Sequence, residues 1–530
     1  MVKDHWLRGQ SAVALALVMG TSAGAPSAVT AQSVVLTNTD TGLVLEGKMT
    51  SFEDGVFTVA TTFGNFEING DMVECSGTGC PIGHASAFDF HISGSPAIGS
   101  SLMPLLIEGF AVMNDGKVDV STGPNDVGLR YDAFAGDNSQ TELFRAQLED
   151  NSSADGFRAL IEGRAHFAMA AGEADLDNVT DARAAGLGDL NDFSQEYGVA
   201  LEALSLVTHP ENPVDTITTD QLIDVLTGRV DNWRDLGGPD APIELVSADE
   251  GDGSYAQVAA QLLSPAAPPR LTSKITETSQ KAAVETVLDA PGSLGIVRLG
   301  AADGMAQMQL HSTCNLPYAQ GAFGAKAGEN PLSRTMYLYS SNQDLPPKAA
   351  AFLDYATSPQ ASNLVEVSGF VDFSVSAKMQ EAAATRVRMA LRDEQSIVRQ
   401  DRMRELFIDM IEWERLSTTF RFSSSSPSLN NAALRDIPRL AEHLDGLPAG
   451  TEVAFVGFTD SSGSFTSNVN LSRERANAVE EQLIALAGDA ALTDKDVVVK
   501  GYGELNPVGC NDTEKGKQLN RRVEVWIRSE

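Results

Sequence analysis

From about Ala87 to Ala377, short apolar runs alternate with amphipathic stretches at helical spacing, and this alternation constrains the chain more than any other feature. Strands that alternate with helices bury their apolar faces as a sheet covered by helices, so the region reads as α/β. The spacing predicts helices over Leu102 to Met113, Thr141 to Leu148, Thr219 to Leu226 and Lys281 to Leu288. A chain of 530 residues exceeds what one hydrophobic core supports. The whole therefore reads as multidomain α/β.

The pattern changes on either side of that region. Over residues 32–84, β-branched and alternating runs such as Val34-Val35-Leu36 and Val56-Phe57-Thr58-Val59 are separated by Gly and Asp turns, which predicts a small β-rich module. Cys75 and Cys80 flank a Gly-rich turn suited to closing a small disulfide loop; without a second ligand pair they make a poor zinc site. Cys314 and Cys510 stand alone, and either pair across domains or remain buried thiols.

Ala377 to Arg415 contains neither Gly nor Pro and is rich in Ala, Arg, Glu and Met. It predicts one or two helices, with 378–407 as a helical linker between an α/β domain at 87–377 and a last domain at 408–530. In that last domain strands are expected at Thr418 to Phe422, Glu452 to Phe458, Val497 to Gly501 and Arg522 to Ile527. Helices are expected at Asn431 to Leu444 and Ser472 to Ala487, giving a βαβαβ core in which Val479, Leu483 and Leu486 face inward.

Net charge is −34, from 38 basic and 72 acidic residues, so the chain should repel nucleic acid and anionic membrane surfaces. Residues 1–31 read as a cleavable export signal: Lys3 and Arg8, an apolar run from Ser11 to Met19, then small residues ending at Ala31. No cysteine near that point suggests a lipid anchor, and no later run is long and apolar enough for a transmembrane span. The expected compartment is the periplasm.

The seven histidines are scattered and form no His-x-x-x-His or His-Glu-x-x-His pair. No nucleophile elbow with a following acid and histidine occurs, and no phosphate-binding P-loop. The acidic turns Asp249-Glu250-Gly251-Asp252 and Asp175-Leu176-Asp177 lack calcium-loop spacing. A non-catalytic protein without cofactor or metal is expected.

The segment from Gly457 to Val525 is the most specific. Gly457-Phe458-Thr459-Asp460, Asn468-Val469-Asn470-Leu471-Ser472-Arg473-Glu474-Arg475-Ala476, Gly501-Tyr502-Gly503-Glu504, Asn511-Asp512-Thr513 and Asn520-Arg521-Arg522-Val523-Glu524 follow in order. Together they resemble the OmpA C-terminal-like domain, the module that grips peptidoglycan in Gram-negative envelopes. The resemblance implies a site for the free end of meso-diaminopimelate, which carries an ammonium and a carboxylate on one carbon. Asp460 would face the ammonium and Arg475 the carboxylate, with Arg521, Asn468 and Thr459 lining the groove. If Ser472 caps the helix, Arg475 lies in its first turn, where the positive helix end adds to anion binding. The competing reading is an intradomain ion pair between Asp460 and Arg475. Arg522 and Glu524 are expected to pair structurally.

Within the α/β region, Ile92-Ser93-Gly94-Ser95-Pro96-Ala97-Ile98-Gly99, His209-Pro210-Glu211-Asn212-Pro213-Val214, Gly228-Arg229-Val230-Asp231-Asn232-Trp233 and Gly369-Phe370-Val371-Asp372 resemble the phosphate-type periplasmic solute-binding proteins, which fold as two lobes. The resemblance leaves Ser95, Ile98, Ser153, Gly253 and Ser254 as anion contacts. Where that family has an arginine the chain has Ala248, and acids stand at Asp155 and Asp252 in place of hydroxyls. Like charges in a closed cleft oppose anion binding by several kcal/mol, roughly. Two functions therefore compete: a wall-tethered envelope protein whose solute cleft is altered or docks another envelope protein, and a phosphate or anion receptor tethered to the wall.

Overall fold

The structure is a computed structural model that describes residues 33–528, apart from 39–42, 54–55, 77–87, 124–126, 137, 249–257, 259–261, 263–270, 381–396, 423–430 and 489. The export signal, Cys80, Asp252, Gly253 and Ser254 lie outside the described residues. The chain divides into two compact units: Met1–Asn191 with Leu338–Ala356, and Asp192–Tyr337 with Thr357–Glu530. Among the described residues no helix is long and apolar enough to cross a membrane.

The first unit opens with the β module. Strands Ser33–Asn38, Val44–Glu53, Val56–Thr61, Gly64–Asn69 and Val73–Ser76 form one antiparallel sheet over Val34, Leu36, Phe57, Val59 and Ile68. Cys75 is buried in this core and disulfide-bonded.

The rest of the unit is a mixed sheet. Phe90–Gly94 runs parallel to both Phe167–Ala170 and Asn138–Asp150, and Leu129–Ala135 and Gly116–Thr122 continue antiparallel. Asn138–Asp150 is a strand where a helix over Thr141 to Leu148 is expected. Its residues are good helix formers, but Phe144, Ala146 and Leu148 are buried at a period of two. The sheet needed that face, and tertiary packing overrode propensity. Phe90 stacks on Phe352 at 4.7 Å and lies 5.5 Å from Phe144. Helix Leu102–Met113 matches its predicted bounds and adds Phe110 to this cluster.

In the second unit, Glu244–Ala248 lies between parallel neighbours Ile275–Thr278 and Ser293–Arg298, and Glu196–Thr208 pairs antiparallel with Ser293–Arg298. Helices Thr219–Leu226 and Gln280–Asp289 fall where the sequence predicts them, the first held by a Thr218/Gln221 capping box.

The C-terminal domain comprises β1 (Ala377–Met379), α1 (Ile397–Glu412), β2 (Glu414–Arg421), α2 (Asn431–Asp445), β3 (Glu452–Phe458), α3 (Phe465–Ala487), β4 (Asp496–Gly501), α4 (Glu514–Asn520) and β5 (Arg522–Arg528). The sheet order is β1-β2-β5-β3-β4, with only β3 and β4 parallel. The predicted linker is part of this domain: β1 extends its sheet and α1 packs on it. Met403, Leu406, Met410 and Trp413 cover one face, against Ala454, Val456 and Trp526. Helices α2 and α3 cover the other, with Val479 and Leu483 fully buried. Leu486, expected in the core, is 54% exposed.

This domain and the Asp192–Tyr337 segment share a buried charge network. Arg415 pairs with Glu329 at 2.6 Å and with Glu524 at 3.2 Å, and Arg522 pairs with Glu524 at 2.7 Å. Arg421 donates to the carbonyls of Leu519, Ala327 and Gly328 at 2.7 to 2.9 Å. Burial, with Arg522 and Arg415 close by and only partly offset by Glu329, pushes its pKa down to about 10. The expected structural pairing of Arg522 and Glu524 is thus part of a larger assembly.

In the first unit, His166 Nδ1 accepts a hydrogen bond from the His91 backbone N–H at 2.9 Å, which requires a neutral ring. Burial, and secondarily the charge of His91, pushes the His166 pKa down to about 4 from 6.5. The unfolded chain therefore takes up this proton before the folded one. Stability is fully present above pH 6.5 and falls as the pH drops towards 4, by about 3 kcal/mol from this group alone. Denaturant unfolding across that range should show the loss, and His166→Gln should flatten it.

Candidate functional site

Two close backbone approaches position the site. A Cβ on Gly457 of β3 would lie 1.8 Å from the Ser472 carbonyl oxygen, and one on Gly501 of β4 would lie 2.7 Å from Arg473 N and Ser472 Oγ. Glycine at both positions lets α3 lie directly on the two strands. Ser472 is therefore not a helix cap. Its Oγ donates to Val469 O at 2.8 Å and accepts from Gly503 N at 3.0 Å, pinning mid-helix to the loop after β4. The cap is Ser464, whose side chain accepts from Ser467 N.

This corrects the expected start of the helix. Thr466 to Asn470 is weak in helix propensity and mimics a loop, yet packing extends α3 through it. Arg475 sits in the third turn, about 15 Å along the axis from the first helical residue. The helix end therefore contributes nothing appreciable to anion binding there, because that field fades within the first turn.

Asp460 lies two residues past the end of β3 and is 8% exposed. Its Oδ2 accepts from Arg521 Nη1 at 2.8 Å and its Oδ1 from Ser462 N at 2.8 Å. Burial alone would raise its pKa. The bonds from Arg521 and Ser462 outweigh burial and hold the carboxyl below its ordinary value. Arg521, just past α4, also donates to Glu514 at 3.2 Å and to the Phe422 carbonyl at 3.4 Å.

Arg475 is 1% exposed, with its guanidinium 5.3 Å from the centre of the Phe422 ring. Burial, then repulsion from Arg521, lowers its pKa, against the attraction of Asp460. The three charges therefore form one electrostatic cluster, two cations to one anion, at the end of β3. The ion pair that fixes Asp460 is with Arg521.

Thr459 donates its N–H to Gly503 O at 2.9 Å, while its buried hydroxyl has no hydrogen-bond partner among the described residues. Asn468 Nδ2 donates to the Asp460 carbonyl at 3.3 Å and to Glu504, which Arg399 of α1 holds at 2.6 Å. The sequence reading missed Glu504, Glu514, Phe422 and Asn511. Asn511 Oδ1 accepts from Ser461 N at 3.2 Å and from Asn520 Nδ2 at 2.8 Å. The motif segments containing Glu504 and Asn511 were the available signal.

Of the anion contacts expected in the α/β region, Ser95, Ile98 and Ser153 belong to the first unit. Ser95 is fully buried and its N–H donates to Met169 O at 3.0 Å. The Ile98 N–H is committed to Ser95 O at 3.3 Å. Ser153 opens helix Ser153–Ile161, and its Oγ accepts from Ala171 N at 3.2 Å. Asp155, the acid in place of a hydroxyl, is paired with Arg158 at 2.7 Å, so part of its charge is compensated. Ala248 ends its strand, 5% exposed.

Comparison with known proteins matches both parts. Residues 114–360 match the family model of a PBP superfamily domain, and residues 421–521 match the OmpA family. The chain joins a periplasmic-binding-protein-like domain of the phosphate-binding type to an OmpA-family domain. It is 26% identical over 201 residues to the phosphate-binding protein PstS of Borreliella burgdorferi, covering 34% of this chain and 67% of that protein. It is 38% identical over 106 residues to the probable lipoprotein YiaD of Escherichia coli, covering 20% of this chain and 46% of YiaD. It is 35% identical over 108 residues to the peptidoglycan-binding protein ArfA of Mycobacterium bovis, covering 20% of this chain and 31% of ArfA. The chain thus spans about two thirds of PstS and less than half of the other two.

The pairing of Asp460 with Arg521 has a measurable consequence. Asp460 should titrate below the ordinary aspartate range in carboxyl-resolved NMR. In Arg521→Ala, where burial is no longer offset by that bond, its pKa should move up.

Proposed function

We propose that the C-terminal domain binds peptidoglycan by holding the free α-amino-acid head of meso-diaminopimelate between Arg475 and Asp460. The observation that carries this reading is the cluster of Asp460, Arg475 and Arg521, which brings one carboxylate and two guanidiniums together in a largely buried setting, with Glu514 at its exposed rim. A zwitterion brings a carboxylate to Arg475 and an ammonium to the Asp460 side. Arg521 keeps Asp460 ionised and aimed, and the Thr459 hydroxyl offers a further polar contact. The peptidoglycan-binding relative, similar over this same domain, supports the assignment. The protein would work in the periplasm, wall-associated and at or near the outer membrane, without catalysis.

For the PBP-like domain we infer a cleft whose ligand differs from that of the phosphate receptors, or a docking platform for another envelope protein. Ala248 at the arginine position is the supporting observation. A wall-tethered phosphate receptor is the alternative, supported by the similarity to PstS.

Sedimentation with purified sacculi tests the first proposal. A charge-assisted bond in such a site is worth about 1.5–3 kcal/mol, so Asp460→Ala and Arg475→Ala should each weaken binding by roughly 10- to 100-fold. If both variants sediment like the wild type, the assignment is wrong. Calorimetry with inorganic phosphate separates the two readings of the PBP-like domain. No heat at millimolar phosphate is expected, and micromolar binding would establish the receptor.

A further inference from the structure

Cys314 and Cys510, 196 positions apart, are joined in a disulfide with Cα atoms 5.8 Å apart. The two halves of this bridge lie in unlike settings. Cys314 sits at the tip of a hairpin in the Asp192–Tyr337 segment, and Cys510 sits beside the candidate wall site.

The hairpin is a firm support. Its first arm, Gln309–His311, pairs in parallel with Thr216–Thr218, and Thr219 Oγ1 donates to the His311 carbonyl at 3.0 Å. Across the tip, Ser312 N donates to Leu316 O at 2.8 Å, and Leu316 N to Ser312 Oγ at 2.9 Å. Asn315 holds a left-handed φ of 63°, secured by a hydrogen bond between its Oδ1 and His311 Nδ1 at 2.8 Å. Leu316 is buried in the segment beneath.

On the other side, the turn ending in Cys510 and Asn511 holds the residues adjoining Asp460 and Arg521. Asn511 Oδ1 holds the N–H of Ser461, the residue after Asp460. Asn520, the residue before Arg521, is fully buried; its Oδ1 accepts from Val508 N and Gly509 N at 2.8 and 2.9 Å. Its Nδ2 donates to Gly509 O and to Asn511 Oδ1, both at 2.8 Å. Consecutive Cα atoms are about 3.8 Å apart, so the Asn511 Cα lies within about 10 Å of the Cys314 Cα.

We propose that this hairpin is a positioning element of the wall site, acting through the Cys314–Cys510 bridge on the Cys510–Asn511 turn and through Asn511 on the Asp460 loop. The inference rests on the peptidoglycan reading of Asp460 and Arg475. Its physical basis is preorganisation. A bidentate or opposed-charge site tolerates displacement of only about 0.5 Å, so the second layer that fixes it sets affinity. Asp460 and Arg521 each lie one residue from a group held by the turn, and the bridge ties that turn to the Asp192–Tyr337 segment of the same unit. The PBP-like part therefore contributes to wall recognition without touching the ligand.

The test is calorimetry of the full chain with a synthetic L-Ala-γ-D-Glu-meso-diaminopimelate tripeptide. Wild type should bind one equivalent. Cys314→Ser with Cys510→Ser should raise Kd by roughly 5- to 20-fold with stoichiometry still near one, as should Asn511→Ala with the bridge intact. Because both act along one path, adding Asn511→Ala to the double serine variant should cost less than the sum of the two. A merely structural bridge would instead lower the stoichiometry and leave Kd unchanged. An unchanged Kd in the serine variant, or fully additive losses, overturns the inference. Should the serine variant fail to fold, Asn511→Ala alone decides: an unchanged Kd overturns it. Absence of any wild-type binding removes the wall-site reading, and this inference with it.

Discussion

Three guanidiniums and two carboxylates, buried where the Asp192–Tyr337 segment meets the C-terminal domain, set the terms for the second unit. Arg415, Arg522, Glu329 and Glu524 are all 7% exposed or less. Taking such groups out of water costs several kcal/mol per ion, and attraction repays this only when every member is present and well oriented. Such a network adds little net stability over a well-packed apolar core, but loss of any single member is costly. Glu329 comes from one segment and Glu524 from the other, so neither segment can expose its half without leaving charge uncompensated. Arg421 shows how tight the balance is. As the cation in excess it is satisfied by three carbonyls, two of them from across the junction. The two segments are thus mutually dependent, in keeping with their appearance as one compact unit.

If the C-terminal domain binds the wall as proposed, that dependence changes what such a domain means in this chain. A tether on a flexible linker anchors its cargo within a radius. A tether that shares a charge network and a disulfide with its cargo also fixes the cargo's orientation relative to the wall. The stretch that reads as a linker contributes a strand and a helix to the domain, and α1 is clamped through Asp409, which accepts from Lys500 at 2.6 Å and from Tyr502.

Much of the fold was legible because its signals are local. The helix Leu102–Met113 and strand Glu452–Phe458 were bounded as found, since apolar periodicity and flanking turn residues agree there. The misplaced elements share one cause. Asn138–Asp150 carries helix-forming residues and becomes a strand, Thr466 to Asn470 carries loop-like residues and becomes helix, and Ala377–Met379 looks helical and joins a sheet. In each case a partner distant in sequence decided the outcome. The same holds at the site. Asp460, Arg475 and Arg521 were legible as motif residues, but not which guanidinium engages Asp460. Nor did anything local foretell that Cys314 would meet Cys510, 196 positions away.

The geometry would also reconcile an acidic chain with the acidic ligand proposed for it. A net charge of −34 ought to repel a stem peptide rich in carboxylates. Screening at physiological salt confines exposed charges to a range of about 8 Å, so the distant acids exert little force at the site. Inside the largely buried cluster, screening is weak and the local balance governs: two guanidiniums against one carboxylate, with Glu514 only at the exposed rim. Arg521 engages Asp460 directly, and Arg475 lies close enough to feel both charges. On the proposed reading, the pair that resembles an ordinary internal salt bridge therefore orders the acid beside which Arg475 would take an anion.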